Sequence, residues 1–180
     1  MIRTTQPRDA IIALVMLLSF ISPRRAFALA ALACASLLAF GYFLQYVKGL
    51  EPCPLCLLQR GFFYAVIAVS VVAALHDPGR KGRIAYASLA GLLAIGGGAV
   101  ATRQVWLQHL PPDKVPQCGP DLFFMLENFP LSRTLKTLVT ATGECAKVDW
   151  TFLGFSIAEW ALAWFSALLL LMIWIAMRRA

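Results

Sequence analysis

Five cysteines stand in the chain, and four of them lie in two stretches that interrupt long apolar runs. The first pair is Cys53-Pro54-Leu55-Cys56. A Cys-x-x-Cys bridge closes so small a ring that it removes little unfolded-chain entropy, which makes it a weak structural staple. The same spacing suits thiol–disulfide exchange, in which one sulfur attacks and the other resolves. Arg60 follows Cys56 by four positions, so a helix starting near Cys56 would carry both on one face. A guanidinium and a helix N-terminus would each stabilise a thiolate at Cys56. The bland alternative for Arg60 is a side chain that snorkels to lipid headgroups.

The other two cysteines, Cys118 and Cys145, share one long polar stretch. A bridge between them would be a respectable staple, worth roughly 3–4 kcal/mol in the chain-entropy model. Pro111-Pro112, Pro116 and Gly119-Pro120 make the surroundings of Cys118 irregular and accessible, so a partner thiol could also reach it. Zinc is disfavoured, because sites built from four cysteines ordinarily pair two short spacings and only one is present. No metal is therefore expected. Cys34 sits among alanines and leucines and reads as a small buried apolar residue. His109 reads either as solvated surface or as a hydrogen-bond donor or proton relay beside a bound cofactor.

Helices in a bilayer must position these residues. The 180 residues are 60% hydrophobic and 14% charged, with mean hydropathy +0.73. A soluble domain runs near 45–50% apolar and about 25% charged. That composition excludes an ordinary cytosolic enzyme, a disordered tail and a nucleic-acid binder. Crossing about 30 Å of hydrocarbon takes roughly 20 helical residues. Runs with almost no charge occur at 26–47, 57–75, 84–102 and 157–177. The expected fold is thus an all-α integral membrane protein, a four-helix transmembrane bundle with one short outer loop (48–56) and one long one (103–156). Ala90, Ala94, Gly98 and Thr102 mark a small-residue face for close helix packing. Trp106, Trp150, Trp160 and Trp174 lie near span ends, as an aromatic belt would place them.

The formal net charge of +7 is distributed unevenly. With four spans, the termini and the loop 76–83 share one side, which holds nine basic and two acidic residues, against seven of each on the other. The positive-inside rule then puts both termini, including residues 178–180, in the cytoplasm and the cysteine pairs outside. An oxidising outer compartment would favour two disulfides. Residues 1–25 read as a cytoplasmic segment, since the apolar stretch 10–22 is too short to span. A secretory h-region there would be followed by Pro23-Arg24-Arg25 in place of a small-residue cleavage site, and Met16 is an alternative start.

Four spans with Cys-x-x-Cys in the first outer loop and two cysteines in the second resemble the DsbB family of bacterial inner membranes. The resembling stretches are Glu51-Pro52-Cys53-Pro54-Leu55-Cys56 with Gln59-Arg60, and Arg103-Gln104-Val105-Trp106-Leu107-Gln108. Gln117-Cys118-Gly119-Pro120, Gly143-Glu144-Cys145 and Trp150-Thr151-Phe152-Leu153-Gly154 complete them. The likeness covers one domain, residues 26–177. It implies a thiol:quinone oxidoreductase with redox-active disulfides Cys53–Cys56 and Cys118–Cys145. Its partner would be a periplasmic DsbA-like thioredoxin-fold oxidase, and its electron acceptor a quinone of the membrane pool, ubiquinone or menaquinone. Cys118 would be attacked by the partner, Cys145 would attack Cys53, and Cys56 would face the quinone beside Arg60. The competing expectations are an assembly protein with two structural disulfides, or a paralogue serving a dedicated partner.

Overall fold

The computed structural model describes residues 22–116, 124, 127–130, 132–133 and 143–178. Residues 1–21 and Cys118 lie outside them. Four helices carry the architecture: α1 (Pro23–Lys48), α2 (Pro54–His76), α3 (Arg80–Gln108) and α4 (Ile157–Met177). All four are long and apolar enough to cross a membrane, so the chain is a multi-pass four-helix membrane bundle.

The helix starts follow from local chemistry. Ser22 caps α1, its Oγ accepting from Arg25 N at 3.4 Å, and Pro23 brings a backbone φ already suited to the first turn. Cys53 occupies the cap position of α2 ahead of Pro54. The start of α4 is a reciprocal capping box: Ser156 Oγ accepts from Glu159 N at 3.3 Å, and Ser156 N donates to Glu159 Oε2 at 2.6 Å. Ser156 Oγ also donates to Gln108 Oε1 at 2.8 Å, tying the entry of α4 to the end of α3. Just before α4, the strands β1 (Thr151–Phe152) and β2 (Phe155–Ser156) form a tight antiparallel hairpin. Its two-residue turn needs left-handed backbone at both positions, and Leu153 (φ 54°) and Gly154 (φ 84°) supply it.

The helices run beyond the uncharged stretches at most ends. α3 begins at Arg80, short of the expected start at 84, and continues to Gln108, past 102. The connection between α2 and α3 is therefore only residues 77–79. α4 matches its expected bounds.

Packing is sequential: α1 lies along α2, α2 along α3, and α3 along α4, whereas α1 and α4 meet at few points. The small-residue face of α3 shares Ala90 and Ala94 with the four-residue row and then departs from it. Ala87, Ala90, Gly91, Ala94, Gly97 and Ala101 are buried, while Thr102 is exposed. A row of every fourth residue drifts about 40° per step around a helix of 3.6 residues per turn, so Gly98 sits at the margin of the interface and Thr102 leaves it. Gly97 lies directly under the Phe165 ring of α4, since a Cβ there would overlap Cε1 and Cζ of that ring. The Phe165 ring in turn stacks on Phe63 of α2, with centroids 4.2 Å apart. Cys34 is fully buried in this main core, as a small apolar residue would be. At the opposite end from the other cysteines, buried Arg83 donates through Nη2 to the carbonyl of Arg178, closing the last turn of α4.

Candidate active site

Three of the four loop cysteines fall among the described residues, and the fold brings them together. Cys53 and Cys56 stand one helical turn apart at the start of α2, with sulfurs 3.3 Å apart and unbonded. Cys145 lies in a 3₁₀ turn, Gly143–Ala146, that packs against the ends of α2 and α3. It is 1% exposed, clustered with Leu55 and Leu107 and against Cys53. Cys53 packs against the cluster that holds Cys145. The Cys145 thiol is the first cause of a Cys53 pKa pushed up to about 12, with burial adding to it. Thus a residue 92 positions further along the chain (145 − 53) lies beside the Cys-x-x-Cys pair.

Two buried amides complete the cluster. Gln104 of α3 donates from Nε2 to Cys56 Sγ at 3.2 Å and to Cys53 Sγ at 3.4 Å. Its Oε1 accepts from Nε2 of Gln59 at 2.7 Å. Both glutamines are 4% exposed. Their neutral side chains gave no charge signal in the sequence. Their trace was a polar residue at an end of an apolar run, one turn from a cysteine in the case of Gln59.

Beside this cluster lies a cavity of about 540 Å³. It occupies the space that α1 and α4 leave between them. Phe40 and Leu44 of α1 line one wall, and Trp160 and Trp164 of α4 the other. Cys53, Cys56, Gln59, Gln104 and Arg60 line one polar part of it, and the loop residues Glu51, Glu144, Lys147 and Asp149 another. Arg60 shares a helix face with Cys56, as the four-residue spacing requires, and both reach the cavity. Its guanidinium is held from α1: Nη1 donates to Gln45 Oε1 at 2.6 Å, Nη2 to the carbonyl of Gly41 at 3.3 Å, and the plane lies 4.7 Å from the Tyr42 ring centroid. Arg60 is therefore a fixed cation at the cavity wall, with hydrogen-bond partners inside the protein.

His109 is not brought to this site. It follows the last residue of α3, exposed, with Nδ1 2.8 Å from the carbonyl of Val105, and it does not line the cavity. That nearby carbonyl gives its ring a partner on its own helix.

Fold and site together define a membrane protein whose dithiol lines a largely apolar cavity between its helices and lies beside a third cysteine from a distant loop. The family described as disulfide bond formation protein DsbB matches residues 23–175. Disulfide bond formation protein B of Methylococcus capsulatus is 51% identical over 147 residues, covering 82% of this chain and 90% of the relative. The protein of that name in Hahella chejuensis is also 51% identical over 147 residues, covering 82% and 89%. The one in Chromobacterium violaceum is 44% identical over 159 residues, covering 88% and 96%. The chain belongs to the DsbB family, and is thereby a disulfide-forming oxidoreductase of the membrane.

Proposed function

We propose that this protein reoxidises a DsbA-like dithiol oxidase in the periplasm and passes the two electrons to a quinone of the bacterial inner membrane. The observation that carries this reading is the convergence of Cys53, Cys56 and Cys145 at the edge of a cavity that Arg60 also lines. A pair of structural staples would not need a third thiol against the smaller ring, nor a cation and two amides beside it.

The cavity suits a quinone. Its aromatic and aliphatic walls match a flat ring with an apolar tail, and Arg60 offers donors to ring carbonyls. When bound there, ubiquinone or menaquinone would supply an acceptor for two electrons. The chain's own residues account for the rest. Cys118 takes the partner's thiolate, which frees Cys145. Cys145 already lies in the cluster against which Cys53 packs, the residue its sulfur must attack. That attack leaves the electron pair on Cys56, which lines the cavity together with Arg60. The guanidinium favours a thiolate at that position. The basic excess at the Arg83 end supports placing both termini in the cytoplasm and the thiol cluster outside.

The test is quinone reduction by the purified protein, driven by a reduced thioredoxin-fold partner. Stoichiometric loss of partner thiols with quinol formation is expected. Partner oxidation without any quinol would remove the quinone from this account.

A further inference from the structure

We propose that Gln104 is a catalytic hydrogen-bond donor to the leaving thiolate of Cys56, and that Gln59 is a positioning residue that keeps the Gln104 amide turned toward the sulfurs. The proposal rests on the exchange reading above and adds to it the group that stabilises the displaced sulfur.

An amide has one acceptor end and one donor end. Gln59 Nε2 holds the acceptor end of Gln104 at 2.7 Å. The donor end then faces the cysteines, with contacts of 3.2 Å to Cys56 and 3.4 Å to Cys53. The two hydrogens of one NH2 group can serve both sulfurs. Both glutamines come from the helices that carry or flank the dithiol, Gln59 from α2 and Gln104 from α3, and both are buried. The pair is thus held by packing before any charge develops. A neutral donor also stabilises an anion without bringing a second buried charge with it.

The step it serves is balanced within the chain. The Cys145 thiolate attacks Cys53 of an oxidised Cys53–Cys56 pair. The Cys145–Cys53 bond forms, the Cys53–Cys56 bond breaks, and the electron pair leaves on Cys56. No proton or external oxidant enters. A leaving thiol departs faster when its thiolate is better stabilised. Arg60, whose hydrogen bonds run to Gln45 and Gly41, adds a longer-range field, whereas Gln104 touches the sulfur itself.

The experiment isolates Cys56 in a Cys53→Ser background and follows its alkylation by iodoacetamide against pH, with site assignment by mass spectrometry. No quinone is present. Gln104→Leu should raise the pH of half-maximal alkylation by about one unit, the size of one charge-assisted hydrogen bond. Gln104→Glu, nearly the same in shape, should raise it at least as far, and it serves if the leucine variant does not fold. Gln59→Leu should shift the midpoint in the same direction when Gln104 is present and add nothing in the Gln104→Leu background. An unchanged midpoint in both Gln104 variants would overturn the proposal, and additive shifts would overturn the role given to Gln59. Because the readout needs no acceptor, a wild-type protein that fails to reduce quinone would overturn the proposed function while leaving this result to stand or fall alone.

Discussion

Arg60 depends on α1 for its position, through Gln45, the Gly41 carbonyl and the Tyr42 ring. Replacing it with methionine should leave folding intact, since a long apolar side chain at a span mouth is acceptable to lipid. Loss of a close positive charge costs a thiolate about 1–3 pKa units. The apparent KM for quinone should accordingly rise about tenfold or more, with single-turnover oxidation of the partner unaffected. Steady-state reduction at varied quinone, beside a quench of the first turnover, measures both. Cys53 gives a second expectation. Its raised pKa means that the folded, reduced protein keeps a proton that the unfolded chain releases above pH 9.0. The stability so contributed is complete below that ordinary value and is lost as pH rises toward 12. Unfolding of reduced protein between about pH 8 and 11 should show this loss, and Cys145→Ala should flatten it by removing the first cause of the shift. The cysteines and Arg60 were legible in the sequence because their spacing has a chemical meaning by itself. Gln59 and Gln104 stood in the resembling stretches without a role, because an uncharged amide becomes functional only through the neighbour it faces, here one on another helix.

At the scale of elements, the contact between α3 and α4 turns on one hydrogen atom. A Cβ at Gly97 would lie 2.3 Å from both Cε1 and Cζ of Phe165, whereas one at Gly98 would meet only the Phe165 Cβ at 3.6 Å. Gly97→Ala should therefore destabilise the bundle by about 1–3 kcal/mol through overpacking. Gly98→Ala should be neutral or mildly stabilising, as alanine is the better helix former. Unfolding of the two variants in mixed micelles distinguishes them, and equal effects would mean that the ring simply moves aside. The uncharged runs marked where each helix crosses hydrocarbon, since lipid excludes charge. They did not mark the ends of α1, α2 and α3, because a helix continues into polar territory until a cap such as Ser22 stops it. A regular spacing of four likewise singled out Gly98, when the interface follows the 3.6-residue period to Gly97.

For the whole molecule, the four-span architecture was readable from composition, but the neighbour relations were not. Nothing in the apolar pattern states that α1 and α4 stay apart while the other neighbours close up. The orientation proposed from charge makes a direct prediction. A cysteine introduced at Gly79, in the 77–79 turn, should react with a membrane-impermeant maleimide only after the cells are permeabilised. One introduced at the exposed Asp149 should react in intact cells. The reverse pattern would invert the molecule and strand its thiols on the reducing side.

The gap between α1 and α4 also decides what the word concentration means for this protein. In the proposed function a lipophilic acceptor enters between these two helices, which meet at few points, and so reaches the cavity by diffusing within the plane of the bilayer. Encounter frequency then follows the mole fraction of acceptor in the amphiphile phase, and the amount per litre of buffer is irrelevant. Adding empty micelles at constant total quinone should slow turnover in proportion to the added amphiphile, while the reaction with a water-soluble partner keeps its rate. The two substrates would thus obey kinetics of different dimensionality, one counted over an area and the other over a volume.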